Sequence, residues 1–110
     1  MPFAIRILTG PEEGQLYTLF ENREMILGHA PSCNIFVPDK YVSRAHCQIV
    51  VREGRCRLAD LESTNGTFVN GERVTDCELK IGCEIRVGGT LLRLEEVDQE
   101  GRLPTTELTT

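Results

Sequence analysis

The chain has few aromatic side chains, no basic run and no long apolar run. Tryptophan is absent and aromatic residues make up 5% of the 110 positions, which argues against a base-stacking surface for single-stranded nucleic acid. The net charge is −5, and an acidic chain without a basic run is a poor candidate for non-specific binding to DNA or RNA. No apolar stretch approaches the length that spans a bilayer. We therefore expect neither nucleic acid nor a membrane as a partner.

The cysteines also lack a pattern that would hold a metal. They lie at positions 33, 47, 56, 77 and 83, with no C-x-x-C pair among them, so no metal and no cofactor are predicted. The first residues have one cation and no apolar core of a signal peptide. The expected location is cytoplasmic, with reduced thiols. Cys47 and Cys56 fall in alternating apolar runs, where a buried cysteine acts as a small apolar residue.

Apolar residues alternate with polar ones along most of the chain, which is the period of half-buried strands. Turn signals recur every few residues, at Glu53-Gly54, Gly71-Glu72 and Gly88-Gly89. No window shows a helical stripe. The predicted strands cover residues 3–8, 16–20, 24–27, 34–37, 47–52, 55–59, 67–70, 84–87 and 90–95. Many short strands separated by turns predict an all-β sandwich or barrel.

The last stretch differs in composition from the rest. From residue 97 onward the sequence VDQEGRLPTTELTT is polar and contains glycine and proline. It has too little apolar surface to fold alone. We therefore expect one domain over residues 1–96 and a flexible tail or linker over residues 97–110.

Three polar clusters lie at the ends of predicted strands, where a rigid scaffold holds binding loops in place. They are Gly28-His29, Ser43-Arg44-Ala45-His46, and the run from Asp60 to Thr67 that continues into residues 68–71. Hydroxyl and amide donors together with cations are what phosphate recognition needs, and charged donors to phosphate oxygens are the strong ones. The candidate ligands of this kind are Ser43, Thr64, Asn65, Lys40 and Arg44.

The order of these motifs resembles the forkhead-associated domain, over about residues 5–94. The matching residues are Gly28, Ser43-Arg44-Ala45-His46, the run from Asp60 to Thr67, and Val69-Asn70-Gly71. The runs 10–14 and 81–88 are similar to that family's first turn and to one of its late strands. The resemblance implies a β-sandwich of two sheets and about eleven short, mostly antiparallel strands. It also implies a non-catalytic signalling adaptor that binds phosphothreonine segments of a partner, such as a substrate of a Ser/Thr kinase.

The resemblance also implies a role for each matched residue. Ser43 would bond a phosphate oxygen, and Arg44 would approach the phosphate or the peptide main chain. Thr64 would add hydroxyl or backbone donation, and Asn65 would bond the peptide backbone. Four residues would support the site structurally: Gly28, His46, Asp60 and Gly66. Tyr41 and Arg73 fall where the family contacts the third residue past the phosphothreonine.

One position departs from the family pattern. His29 stands where the family usually has an arginine that is a principal phosphate ligand. Loss of such a contact costs roughly 1.5–3 kcal/mol. Lys40 or another cation could replace it, or the phosphate could protonate His29, which predicts tighter binding at pH 6 than at pH 8.

Four alternatives remain open at this point. The domain could be a diverged member that serves as a phosphate-independent interaction or oligomerisation module. Ser43, His46 and Asp60 could be proposed as a hydrolase triad, although no G-x-S-x-G motif is present. A zinc module is a third possibility. Finally, a phosphate on Thr105 or Thr106 would turn the tail into a ligand for the site, in cis or in another copy.

Overall fold

The computed structural model of the chain describes residues 3–97, which form eleven β-strands and no helix. Residues 3–97 therefore contain no helix that is long and apolar enough to cross a membrane. The strands are β1 (Phe3–Ile7), β2 (Leu16–Leu19), β3 (Glu24–Gly28), β4 (Ile35–Phe36), β5 (Cys47–Arg52), β6 (Arg55–Asp60), β7 (Thr67–Val69), β8 (Glu72–Val74), β9 (Asp76–Leu79), β10 (Glu84–Val87) and β11 (Thr90–Glu96).

The strands form two sheets that pack face to face. One has the order β2-β1-β11-β10-β7-β8 and the other β4-β3-β5-β6-β9. Every paired strand runs antiparallel to its neighbour except β3 and β4, which are parallel. The predicted fold class, an all-β sandwich of about eleven mostly antiparallel strands, is confirmed.

The core lies between the two sheets and is built from every second residue of the central strands. In β5 the side chains of Cys47, Ile49 and Val51 are buried, and they alternate with more exposed neighbours. Cys56 in β6 is also buried, and burial raises the pKa of both Cys47 and Cys56 to about 12. These thiols therefore pack as small apolar groups.

Two strands were not foreseen from the alternation of the sequence. β8 and β9 are short strands at the edges of their sheets, and β9 contains only one buried side chain, Leu79. The predicted turn at Gly71-Glu72 lies one residue earlier, because Glu72 already belongs to β8. β8 has no buried side chain and β9 has one, so neither sequence shows the alternation that burial of one face produces.

Pairing brings the ends of four strands to one end of the sandwich. The register pairs Leu27 with Cys47 and Cys47 with Asp60. This register places the end of β3, the start of β5 and the end of β6 side by side at one end of their sheet. The loop after Asp60 then enters β7 in the opposite sheet at Thr67. The predicted tail, with Thr105 and Thr106, lies outside the described residues apart from Val97.

Candidate functional site

Gly28 allows the end of β3 to approach the loop that precedes β5. A Cβ atom at this position would lie 2.1 Å from the backbone oxygen of Arg44, so any side chain would collide with that backbone. The same oxygen accepts hydrogen bonds from the Cys33 thiol at 3.0 Å and from the Ala30 N–H at 3.2 Å. The His29 N–H donates to the Ser43 carbonyl at 2.9 Å. These bonds join the predicted loops around residues 29 and 43.

His46 joins the loop before β5 to the loop before β7. Its side chain is 0% exposed, and both ring nitrogens have backbone partners. The Ser43 N–H donates to Nδ1 at 3.0 Å, and Nε2 donates to the Gly66 carbonyl at 2.9 Å. Since a backbone N–H only donates and a carbonyl only accepts, these partners fix the neutral ring with hydrogen on Nε2.

Asp60 organises the turn that leads into β7. Its Oδ1 accepts the hydroxyls of Ser63 and Thr67, each at 2.6 Å, and its Oδ2 accepts the Ser63 N–H at 3.0 Å. The Ser63 oxygen in turn accepts the Gly66 N–H at 3.0 Å. Partial burial favours the neutral acid, but these hydrogen bonds outweigh it and hold the pKa of Asp60 below its ordinary value.

The two loops then meet through Ser43 and Asn65. Ser43 Oγ accepts the Thr64 N–H at 3.1 Å, and Asn65 Nδ2 donates to the Tyr41 carbonyl at 2.8 Å. Thr64 and Asn65 are exposed, and Ser43 is half-buried. The structure therefore brings the three predicted donors, Ser43, Thr64 and Asn65, together where the two loops meet.

Asp39 is a supporting residue that the sequence analysis missed. Its Oδ1 accepts the Tyr41 N–H at 2.9 Å. Its Oδ2 accepts the Gly89 N–H at 2.8 Å and the Thr90 hydroxyl at 2.9 Å. Burial opposes ionisation, yet these bonds keep the pKa of Asp39 below its ordinary value. The only sequence signal was local, since an aspartate that binds the N–H two residues onward is typical of an Asx-turn.

His29 is half-buried beside Asp39, and its Nδ1 lies 2.9 Å from the Asp39 carbonyl oxygen. The other predicted cations are exposed. The Lys40 ammonium lies 5.2 Å from the centroid of the Tyr41 ring, while Arg44 is held through its backbone carbonyl. Lys40 and Arg44 thus belong to the loop that carries Ser43.

Arg73 reaches the site from β8 in the opposite sheet. A Cβ atom at Gly66 would lie 2.8 Å from its Nε, so the guanidinium packs over the Gly66 backbone. Gly66 also has φ +90°, a conformation that glycine adopts without strain. Arg73 therefore places a charge next to Asn65, at the predicted specificity end of the site.

The hydrolase alternative requires a hydrogen-bonded chain from Ser43 through His46 to Asp60. His46 instead binds the Ser43 backbone N–H and the Gly66 carbonyl, and it is fully buried. The Asp60 carboxylate binds Ser63 and Thr67. These three residues hold the loops in place and do not form a triad.

The family model of the FHA domain matches residues 25–88. The chain belongs to the FHA (forkhead-associated) domain family. The matched segment begins in β3, ends directly after β10 and contains every predicted site residue from Gly28 to Arg73.

This FHA chain is similar to both curated proteins and solved structures. It is 35% identical over 79 residues to the oxoglutarate dehydrogenase inhibitor of Corynebacterium efficiens, covering 72% of this chain and 55% of that protein. It thus spans about half the length of that relative. A structure from an analysis of phosphothreonine-dependent FHA domain interactions has 32% identity and a TM-score of 0.81, covering 89% of this chain and 99% of its own. The FhaA FHA domain complexed with the intracellular domain of Rv3910 has 33% identity and a TM-score of 0.78, covering 84% and 99%.

Proposed function

We propose that this FHA domain binds phosphothreonine-containing segments of a partner protein and acts as a non-catalytic signalling adaptor. The observation that carries the proposal is the 3.1 Å hydrogen bond from the Thr64 N–H to Ser43 Oγ. It joins the two loops that hold the candidate ligands. The FHA domain studied for phosphothreonine-dependent interactions, to which this chain is similar, supports the same assignment.

The bonds within the site leave the donors that a phosphopeptide needs. Ser43 Oγ accepts from Thr64, and a hydroxyl has one hydrogen of its own, so that hydrogen is available for a phosphate oxygen. Asn65 uses one amide hydrogen for the Tyr41 carbonyl. Its second hydrogen can be donated to a peptide carbonyl, and its oxygen can accept a peptide N–H. Ser43 is therefore the proposed phosphate ligand, and Asn65 is the proposed peptide-backbone ligand.

Three cationic or titratable side chains and one hydroxyl surround these donors in the proposal. Arg44 and Lys40 supply charge from the Ser43 loop, His29 supplies it when protonated, and Thr64 adds its hydroxyl. Arg73, packed on Gly66, and the exposed ring of Tyr41 are the proposed contacts for peptide residues beyond the phosphothreonine. Charged donors to phosphate contribute about 1.5–3 kcal/mol each, so Arg44 and Lys40 can offset part of the missing arginine.

The test is binding of a degenerate phosphothreonine peptide library to the full chain, with phosphoserine and unphosphorylated libraries as references. We expect binding to phosphothreonine alone, reduced about tenfold or more in Ser43→Ala and Asn65→Ala. Thr18→Ala, a hydroxyl deletion in β2 outside the site, is the matched control and should bind like the wild type. Failure to bind any phosphopeptide, with recovery in His29→Arg, would instead indicate a diverged, phosphate-independent module.

The tail gives this site a second proposed ligand. If Thr105 or Thr106 is phosphorylated, the same loops would bind it in cis or in another copy. Phosphorylating the full chain and measuring its compactness and self-association tests the idea, because Ser43→Ala should abolish any change. The cytoplasmic location stays a prediction from the sequence.

A further inference from the structure

A groove of about 360 Å³ lies on the outer face of the β4-β3-β5-β6-β9 sheet. Its floor includes Val50 of β5 and Ala59 of β6, both half-buried. Val50 lies between the core residues Ile49 and Val51, so its side chain projects from the opposite face of the sheet. The groove is therefore separate from the sandwich core and from the loops that hold Ser43.

Two exposed ion pairs form the sides of the groove. Arg52 Nη2 lies 3.8 Å from Glu24 Oε2 on one side, and Arg57 pairs with Asp76 on the other. All four side chains are more than half exposed. Exposed pairs of this kind contribute at most about 1 kcal/mol, so a ligand with carboxylates can compete for both arginines.

A third arginine of the groove, Arg55, lies opposite Arg52. Arg55 is the direct cross-strand partner of Arg52, and like charges in that position destabilise an antiparallel pair. Among the described residues, no ion pair involves Arg55. The groove thus gathers three guanidinium groups and two carboxylates in a chain whose net charge is −5.

We propose that this groove docks an extended acidic segment of a partner protein. An apolar side chain of that segment would cover Val50 and Ala59, and flanking carboxylates would bind Arg55 and Arg52. Guanidinium groups suit this task because they bind carboxylates through two parallel hydrogen bonds. Charge complementarity and the apolar floor together favour this occupant.

The position of the groove relates it to the proposed phosphopeptide site. Val50 follows Cys47, at the start of β5, by three residues, or about 10 Å of strand. One partner chain could therefore hold its phosphothreonine in the loops and its acidic segment in the groove. Linking the two contacts would raise the overall affinity through effective concentration. This bivalent extension rests on the proposed function, whereas docking of the acidic segment does not.

The first experiment titrates the isotope-labelled full chain with an unphosphorylated peptide of alternating glutamate and leucine, followed by amide chemical shifts. We expect shifts centred on Val50, Arg55 and Arg57. The same peptide with glutamine in place of glutamate should bind at least about fivefold more weakly. Absence of shifts at the groove would overturn the proposal. Shifts there that depend on protein concentration in the peptide-free chain would assign the groove to a second copy and would also overturn it.

Matched variants separate the groove from general attraction between charges. Arg55→Glu should lower the affinity for the glutamate peptide about fivefold or more. Arg86→Glu makes the same charge change on the other sheet, where Arg86 stacks on Phe68, and should leave the affinity unchanged. Equal weakening by both variants would contradict the proposal. Ser43→Ala should not affect this peptide, so loss of phosphothreonine binding and loss of groove binding remain distinguishable.

Discussion

Nδ1 of His29 lies 2.9 Å from the backbone carbonyl oxygen of Asp39. Because a carbonyl only accepts, Nδ1 carries the hydrogen, and the neutral ring leaves Nε2 as an acceptor. Phosphate oxygens are also acceptors, so a neutral His29 has no hydrogen to offer them. Only the imidazolium can donate from Nε2. A contact between His29 and phosphate therefore requires uptake of a proton, unlike the arginine usual at this position in the family.

The first prediction is that phosphothreonine binding strengthens as the pH falls from 8 to about 6.5. Histidine gains its charge in this range, while the peptide phosphate loses charge only near its second pKa of about 6. The Asp39 carboxylate interacts electrostatically with His29, and because its pKa is lowered it stays ionised between pH 6.5 and pH 8. Titration calorimetry at several pH values in the full chain measures the effect.

His29→Arg and His29→Gln test the origin of this pH dependence. The arginine variant keeps its charge across the range, so its affinity should be flat above pH 6.5 and about tenfold higher than that of the wild type at pH 8. The glutamine variant should bind the phosphothreonine peptide weakly, with an affinity that does not change with pH over this range. A wild-type affinity that is constant, or that rises toward pH 8, would contradict a role for the imidazolium.

The central strands could be predicted from the sequence because burial acts on every second residue. In β5, the buried Cys47, Ile49 and Val51 alternate with more exposed residues, and the predicted bounds of this strand agree with the structure. β8 and β9 lie at sheet edges, where Cys77 and Glu78 are both half-buried and no alternation results. Their positions depend on pairing with strands elsewhere in the chain.

The donors of the site could be named from the order of motifs, but their supports could not. Asp39 binds Gly89 across 50 residues of sequence, and this contact exists only once the β10–β11 hairpin packs beside the loop. Arg73 packs on Gly66 only because β8 lies next to β7. Local spacing carries no information on either contact, since both arise from tertiary packing.

The second prediction concerns Gly28. In Gly28→Ala the new Cβ would lie 2.1 Å from the Arg44 oxygen, so the end of β3 must move away from the Ser43 loop. Overpacking of this kind costs typically about 1–3 kcal/mol. We expect a lower free energy of unfolding by denaturant and weaker phosphopeptide binding. A Cβ at Gly89 would meet its nearest neighbour, Asp39 Oδ2, at 3.6 Å. Gly89→Ala is therefore the matched control and should change neither quantity appreciably.

The third prediction is that His46 stabilises the site without touching ligand. His46→Ala would leave the Ser43 N–H and the Gly66 carbonyl without their ring partners and would open a cavity in a fully buried position. Each unsatisfied buried group costs about 1–3 kcal/mol. We expect a clear loss of thermal stability, together with faster amide hydrogen exchange at Ser43. Unchanged stability with lost peptide affinity would instead indicate direct contact with the ligand.

The fourth prediction concerns the stability of the fold in acid. Hydrogen bonds hold the pKa values of Asp39 and Asp60 below the ordinary value of 3.8. A depressed pKa contributes stability that is present above the unfolded-state pKa and is lost as the pH falls through the folded-state pKa. We therefore expect the urea concentration at the midpoint of unfolding to decrease once the pH falls below about 4.

The double variant Asp39→Asn/Asp60→Asn removes both titrations and tests their contribution. It should be less stable than the wild type at pH 6, and the difference should shrink toward pH 3. Part of the acid dependence should remain, because the pKa of Glu95 is also lowered: burial opposes this, but hydrogen bonds from Arg93 and Arg6 prevail. A difference between the two proteins that stays constant from pH 6 to pH 3 would mean that the ionised carboxylates of Asp39 and Asp60 do not stabilise the loops.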